Sequence, residues 1–313
     1  MSGVIPLFDS SPSAGYYRTI GNHFIYFTSS RKMVCGTPAR HPMAYSPGLI
    51  VHKEYWNGHR VEIRDNGDHR SLYFGSGHLQ SRMSLSHPED LVLPYTRHML
   101  TALLIVPEPC DILIVGIGAG SLIHFFSHHF HHCRIDAVDF SPHIIQVARG
   151  FFRLPENGRI VVHCQDGLQF LQEPRKKKYD LILVDAFDHE GMAAGIYSEP
   201  FFSRCSASLK STGVVSCNLW SRDALLFREI QTILADHFAG CLYLPVPDRG
   251  NIVALALQVA VPWSRILLKN KELAKLSKRY GVDFKKLVGT AKAYNLSLSE
   301  RWLSFLHAAG NKK

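Results

Sequence analysis

A short apolar run, Ile112-Leu113-Ile114-Val115, passes directly into Gly116-Ile117-Gly118-Ala119-Gly120, and an acid, Asp139, follows nineteen residues after the last of these glycines. No other stretch constrains the fold as tightly. An Ile/Leu/Val run without alternation predicts a strand covered on both faces. The glycines predict a turn whose backbone can approach a ligand closely, since no Cβ stands in the way. The apolar helical pattern after Gly120 predicts a helix whose first N–H groups lack an intrahelical partner and point at that ligand. Arg134-Ile135-Asp136-Ala137-Val138-Asp139 predicts a second strand with Asp139 at its tip, where a carboxylate can accept from both hydroxyls of a ribose. Strand, turn, helix and acid together describe a βαβ unit that holds a nucleoside; a purely structural turn is the plainer alternative. Ser121 and Leu122 follow Gly120, so the spacing is G-x-G-x-G and not the dinucleotide pattern G-x-G-x-x-G. That favours a sulfonium nucleoside such as S-adenosylmethionine over NAD.

The flanking pattern sets the domain plan. Residues 1–47 carry clusters of Ser, Pro and Gly and read as an irregular segment. Residues 48–90 read as a small antiparallel β domain: strands at Leu49–Glu54, His59–Arg64, Ser71–Phe74 and His78–Ser81, with Asn57-Gly58 and Asn66-Gly67 as turn signals. Residues 91–261 open with a linking helix from about Pro94 to Ile105 and then alternate strands and helices, which predicts an α/β fold with a Rossmann-like parallel sheet of the class I methyltransferase type. Residues 262–313 read as a basic helical tail.

Two further strands deliver acids. Asp166-Gly167 follows Ile160–Cys164, where Asp166 can accept from an adenine amino group or cap the helix beginning at Gly167, and the two roles are compatible. Tyr179–Val184 delivers Asp185, with Asp188 three residues on. Two carboxylates beside a sulfonium can attract a cationic amine and take its proton as nitrogen attacks carbon. The alternative is that Asp185 caps a helix and Asp188 is solvated. His124, His128, His129, His131, His132 and Cys133 suggest a metal cluster, but no matching acidic or cysteine set accompanies them, and no metal is expected.

The net charge of +9 derives partly from Arg175-Lys176-Lys177-Lys178 and the C-terminal lysines, which read as solvated surface, so no nucleic-acid partner is expected. Seven cysteines without C-x-x-C spacing fit reduced thiols in a cytoplasm. No uninterrupted apolar stretch approaches the roughly 20 residues that cross a bilayer, and no signal peptide is apparent.

With these residues in view, the chain resembles the spermidine synthase, or polyamine aminopropyltransferase, family from Gly48 to Val259. The resemblance rests on Gly77-His78-Leu79-Gln80-Ser81, Tyr95, the Gly116–Gly120 loop, Asp139, Asp166-Gly167, Asp185-Ala186-Phe187-Asp188, Phe201-Phe202, Leu209–Val214 and Asn218-Leu219. It implies an N-terminal β domain before a Rossmann-like domain, and transfer of an aminopropyl group from decarboxylated S-adenosylmethionine to a diamine such as putrescine. Gln80 and the loop glycines Gly116, Gly118 and Gly120 would contact the nucleoside donor, Asp139 its ribose, and Asp166 with Gly167 its adenine. Asp185 would orient and deprotonate the amine, Asp188 would help bind it, and Tyr95 would line its pocket. A homodimer through the β domain is implied as well. The chain departs from the family pattern at Ala119, where an acid holds the donor's amine, at Thr96-Arg97 beside Tyr95, and at His189-Glu190-Gly191-Met192 after Asp188. An Arg97 facing the pocket would pair with the carboxylate of ordinary S-adenosylmethionine; otherwise it is a surface residue. A methyltransferase on the same scaffold and a non-catalytic nucleoside-binding protein are therefore the alternatives.

Overall fold

The computed structural model describes residues 16–20, 23–27, 48–56, 58–75, 77–174, 177–187, 191–193 and 195–296. The chain divides into two units, Met1–Ser46 and Pro47–Lys313. In the first, β1 (Tyr16–Ile20) and β2 (His23–Phe27) pair antiparallel with Ile20 opposite His23. No strand was expected here. The aromatic and β-branched residues on either side of Gly21-Asn22 form a hairpin signal that the abundance of Ser, Pro and Gly around it obscures.

The second unit begins with an antiparallel meander of β3 (Leu49–Trp56), β4 (His59–Asn66), β5 (His69–Phe74) and β6 (His78–Ser84). Val61, Ile63, Leu72 and Met83 on its inner face bury themselves against Ala119 of the glycine loop and against Val147 and Phe152. Next come α1 (Pro94–Met99) and a 3-10 segment, Leu100–Leu104, in place of the single helix the sequence suggests. Every residue from Leu100 to Ile105 is buried, so packing on all sides, and not helix propensity, sets this backbone.

Seven strands form the main sheet: β7 (Asp111–Val115), β8 (Arg134–Asp139), β9 (Ile160–Cys164), β10 (Tyr179–Val184), β11 (Leu209–Trp220), β12 (Gly240–Pro245) and β13 (Asn251–Leu257). Their order is β12-β13-β11-β10-β7-β8-β9; β7 to β11 run parallel, and β13 is antiparallel to both of its neighbours. Side chains of β7 explain the layering: Ile112 and Ile114 enter one apolar cluster, Leu113 and Val115 the other. The first cluster also holds residues of α2 (Ser121–His129) and α3 (Pro142–Phe152). The second holds those of α4 (Gly167–Gln172), α5 (Glu199–Ser208) and α6 (Ala224–His237). The chain leaves β7 for β8 and β9 on one side and returns to β10 on the other. Ligands of open α/β sheets bind at the carboxyl ends of strands at such a switch point.

Residues 262–296 pack into the core and do not form an appended tail. After α7 (Trp263–Ile266), helices α8 (Asn270–Tyr280) and α9 (Phe284–Asn295) bury Leu273, Tyr280, Phe284, Leu287 and Ala291 in the same cluster as α2. The lysines that make this segment look solvated occupy the opposite face of an amphipathic pair. Asn295 closes the arrangement: its Oδ1 accepts the Tyr243 N–H and its Nδ2 donates to the Tyr243 carbonyl, both at 2.8 Å, covering the open edge of β12.

Candidate active site

At the switch point the ends of β7 and β10 nearly touch. A Cβ on Gly116 would lie 2.2 Å from the Asp185 carbonyl oxygen, and Gly116 sits at φ +91°, so only glycine fits. Gly118 meets the β meander: a Cβ there would lie 2.5 Å from Ser81 Oγ, and that same oxygen accepts the buried Ala119 N–H at 3.1 Å. Ser81 thus fastens the small sheet to the glycine loop. Ser81→Ala strands the Ala119 N–H and should cost about 1–3 kcal/mol of unfolding free energy. Urea titration reads this as a lower midpoint at constant slope; an unchanged midpoint would mean that this N–H is paired elsewhere. Gln80 precedes Ser81 at a bulge, where Leu72 pairs with Ser81 and Tyr73 with Leu79. The bulge leaves Gln80 as the extra residue, half-buried, beside the loop.

Gly120 precedes α2 in the left-handed conformation and no side chain caps that helix. Asp139 is tied to the same loop: Oδ2 accepts the Ile117 N–H at 2.9 Å and Oδ1 the Ser141 N–H at 3.0 Å. The Gly118 N–H is a third backbone donor to this carboxylate, which leaves one of its four acceptor positions open. Burial raises the Asp139 carboxyl above the usual range, against the pull of these backbone donors. The Gln165 N–H donates to the Asp139 carbonyl at 3.0 Å, which sets the next loop alongside. There Asp166 does cap a helix: its Oδ1 accepts the Leu168 and Gln169 N–H groups at 2.9 and 3.0 Å. Gly167 presses on β7, with a Cβ position only 2.7 Å from Val115 Cγ1.

Asp185 stands just past β10, its N–H bonded to the Val115 carbonyl at 2.9 Å. It caps no helix, since α5 begins after Ser198. Its side chain is half-buried, with Oδ1 accepting from Asn218 Nδ2 at 2.9 Å and the carboxylate also accepting the Tyr95 hydroxyl. Burial pushes the Asp185 carboxyl up, partly offset by these two donors. Tyr197 faces Asp185 from the segment before α5, and its hydroxyl donates to the Asn218 carbonyl at 2.9 Å. Burial, with the Asp185 charge nearby, drives both tyrosines well above their ordinary range, so both remain hydroxyl donors. Phe187 packs edge-on to Tyr197 and Trp220, with ring centroids 6.2 and 6.3 Å apart, and gives this side an aromatic wall.

The fold brings Tyr95, Asp139, Asp166, Asp185 and the three loop glycines to one end of the sheet. Arg97 does not join the groups around Asp185: it is exposed on α1, and its Nε donates to the Leu91 carbonyl. Asp188 lies outside the described residues. Ala119 is buried against the meander. His124 is buried too, its Nε2 at 2.8 Å from the Phe152 carbonyl, and among the described residues no group of three His, Cys, Asp or Glu is arranged to hold a metal. Sequence reasoning missed Tyr197, Asn251 and the role of Ser81. Ser81 and Asn218 stand within matched motifs, but nothing local marks their partners.

The Spermine/spermidine synthase domain family matches residues 95–236. A polyamine aminopropyltransferase of Neisseria meningitidis serogroup A is 36% identical over 75% of this chain and 90% of its own length. The chain belongs to the spermidine synthase (polyamine aminopropyltransferase) family. A second member, from Chromobacterium violaceum, is 34% identical over 75% of this chain and 90% of its own length. A crystal structure of spermidine synthase in complex with the transition state analogue AdoDATO shares the fold, with TM-score 0.62 and 17% identity, over 80% of this chain and 86% of that one. No described helix is long and apolar enough to cross a membrane.

Proposed function

We propose that this protein transfers an aminopropyl group from decarboxylated S-adenosylmethionine to a small amine, with Asp185 as the base. One observation carries the reading: Asp185 is a half-buried carboxylate held by neutral donors, and its own main chain abuts the glycine loop. A partly desolvated acid with no cationic partner suits an incoming ammonium and, once the amine is bound, its proton. The close approach of the Asp185 main chain to Gly116 supports donor and acceptor meeting there.

In this reading the donor lies along the loop, a ribose hydroxyl on the remaining acceptor position of Asp139 and its adenine amino group on Asp166. Gln80 contacts it from the meander. Tyr95 and Asp185 line the amine pocket, and Asp188 helps bind the amine. The nitrogen lone pair attacks the carbon next to the sulfonium; the N–C bond forms as the C–S bond breaks, and its electron pair neutralises sulfur as a thioether. The proton lost by nitrogen passes to Asp185. Sulfonium is already a good leaving group, so alignment and exclusion of water supply most of the acceleration.

The deciding assay offers each sulfonium donor with short diamines and follows the thioether nucleoside together with the new amine. Aminopropylated product from the decarboxylated donor is expected. Methylated acceptor from the carboxylated donor, or no turnover with either, would refute the proposal. Asp139→Ala should weaken binding of the thioether nucleoside by roughly 10–100-fold, the worth of hydrogen bonds to a charged group. Titration calorimetry measures this directly, and unchanged affinity would remove Asp139 from the donor site.

A further inference from the structure

Asn218 holds the donor that faces Asp185, and an amide can present either end. Its Nδ2 donates to Asp185 Oδ1 at 2.9 Å, while its Oδ1 accepts from Asn251 Nδ2, also at 2.9 Å. Turning the amide over changes its shape very little; only its partners select one orientation. In the other orientation a carbonyl oxygen would face the Asp185 carboxylate, acceptor against acceptor. The Tyr197 hydroxyl holds the Asn218 backbone carbonyl and does not act on the side-chain amide, which only the Asp185 carboxylate orients from this side. The remaining control comes from β13.

Asn251 is the first residue of β13 and pairs with Trp220, two positions beyond Asn218 on β11. Its own carbonyl accepts the Val246 N–H at 3.0 Å, which closes the β12–β13 turn and anchors it. From there its side chain reaches diagonally across β11 to the buried Asn218 amide. Three adjacent strands thus contribute one chain of hydrogen bonds: Asn251 on β13, Asn218 on β11, and Asp185 past β10.

We propose that Asn251 is a positioning residue: it locks the Asn218 amide with its N–H toward Asp185 and so keeps that carboxylate ready for the acceptor's proton. The proposal rests on the reading of Asp185 as the base. Among the described residues the titratable groups facing Asp185 are Tyr95 from α1 and Tyr197 from the segment before α5. Both stay protonated, so neither supplies a charge that would replace a lost Asn218 donor.

The test is Asn251→Leu, which keeps the side-chain shape and removes the donor. Two readouts are taken. One is the pH profile of kcat/KM; the other is the titration of the Asp185 carboxyl by 13C NMR, assigned by its loss in Asp185→Asn. Both should move up by about one pH unit, the scale set by one hydrogen bond to a charged group, with the donor KM unchanged. Asn218→Ala should shift the titration as far, and adding Asn251→Leu to it should shift it no further. An unmoved Asp185 titration in Asn251→Leu would overturn the proposal, and so would a full further shift in the double variant. Asn251→Ala is read in the same way if the leucine variant fails to fold. The NMR arm requires no turnover. An unaltered protein that transfers nothing would therefore defeat the functional reading, while the amide lock is judged on the titration alone.

Discussion

Asp185→Asn lowers kcat/KM for aminopropyl transfer by about 10²–10⁴-fold, the range for removing a general base, with affinity for the thioether nucleoside essentially unchanged. Asparagine keeps an oxygen for the Asn218 donor but cannot take a proton. The unaltered enzyme should lose kcat/KM on the acid side at a pH above the ordinary carboxylate range, because burial raises Asp185 and the base must be ionised to work. The same burial has a stability consequence of opposite sign. With a folded pKa above the unfolded one, the native state retains a proton that the unfolded chain has already lost. Stability therefore falls as pH rises from the ordinary carboxylate value through the raised one. The asparagine variant escapes this loss. It should melt at a higher temperature than its parent near neutral pH, and the advantage should disappear on acidification below the ordinary value of 3.8. An equal advantage at both pH values would show that Asp185 does not carry the penalty; undiminished turnover would show that it is not the base.

Gly116→Ala is the second large effect, and its cause is purely steric. The added methyl would sit 2.2 Å from the Asp185 carbonyl oxygen, at a backbone φ of +91°. Neither strand end yields freely, because the Gly116 N–H is bonded to the Val138 carbonyl and the Asp185 N–H to the Val115 carbonyl, each at 2.9 Å. Relief must therefore displace the tip of β10, and Asp185 with it. A shift of about 1 Å in a reacting group costs on the order of 10²-fold in rate, and the backbone strain alone destabilises by about 1–3 kcal/mol. Steady-state kinetics and denaturant titration of the same preparation should show both losses together. Stability lost at full kcat/KM would mean that the loop and the base are not mechanically joined.

The parts of the site legible in the sequence are those written in short-range pattern. The unalternating Ile112–Val115 run, the glycines after it, and the acids at the end of β8 and just past β9 and β10 all lie on contiguous segments. Hairpins and caps were legible for the same reason where their signals were clean, as at Asn66-Gly67 between β4 and β5 or at Asp166 before α4. Less legible were β12, whose Cys241-Leu242-Tyr243-Leu244 is too short an apolar run for its period to separate strand from helix, and the C-terminal helices, whose lysines hid an apolar face.

Local periodicity and backbone stereochemistry were sufficient to name a nucleoside loop, its ribose acid and an acid at the tip of β10, since each depends on neighbours only a few residues away. The surroundings of that last acid lie beyond such reasoning. Tyr95, Tyr197, Asn218 and Asn251 come from four separate elements, and only the strand order, with β13 inserted antiparallel beside β11, lines them up on Asp185. Burial at that meeting point is a property of the packed layers, so the shifted Asp185 carboxyl and the amide that faces it arise from the assembled sheet.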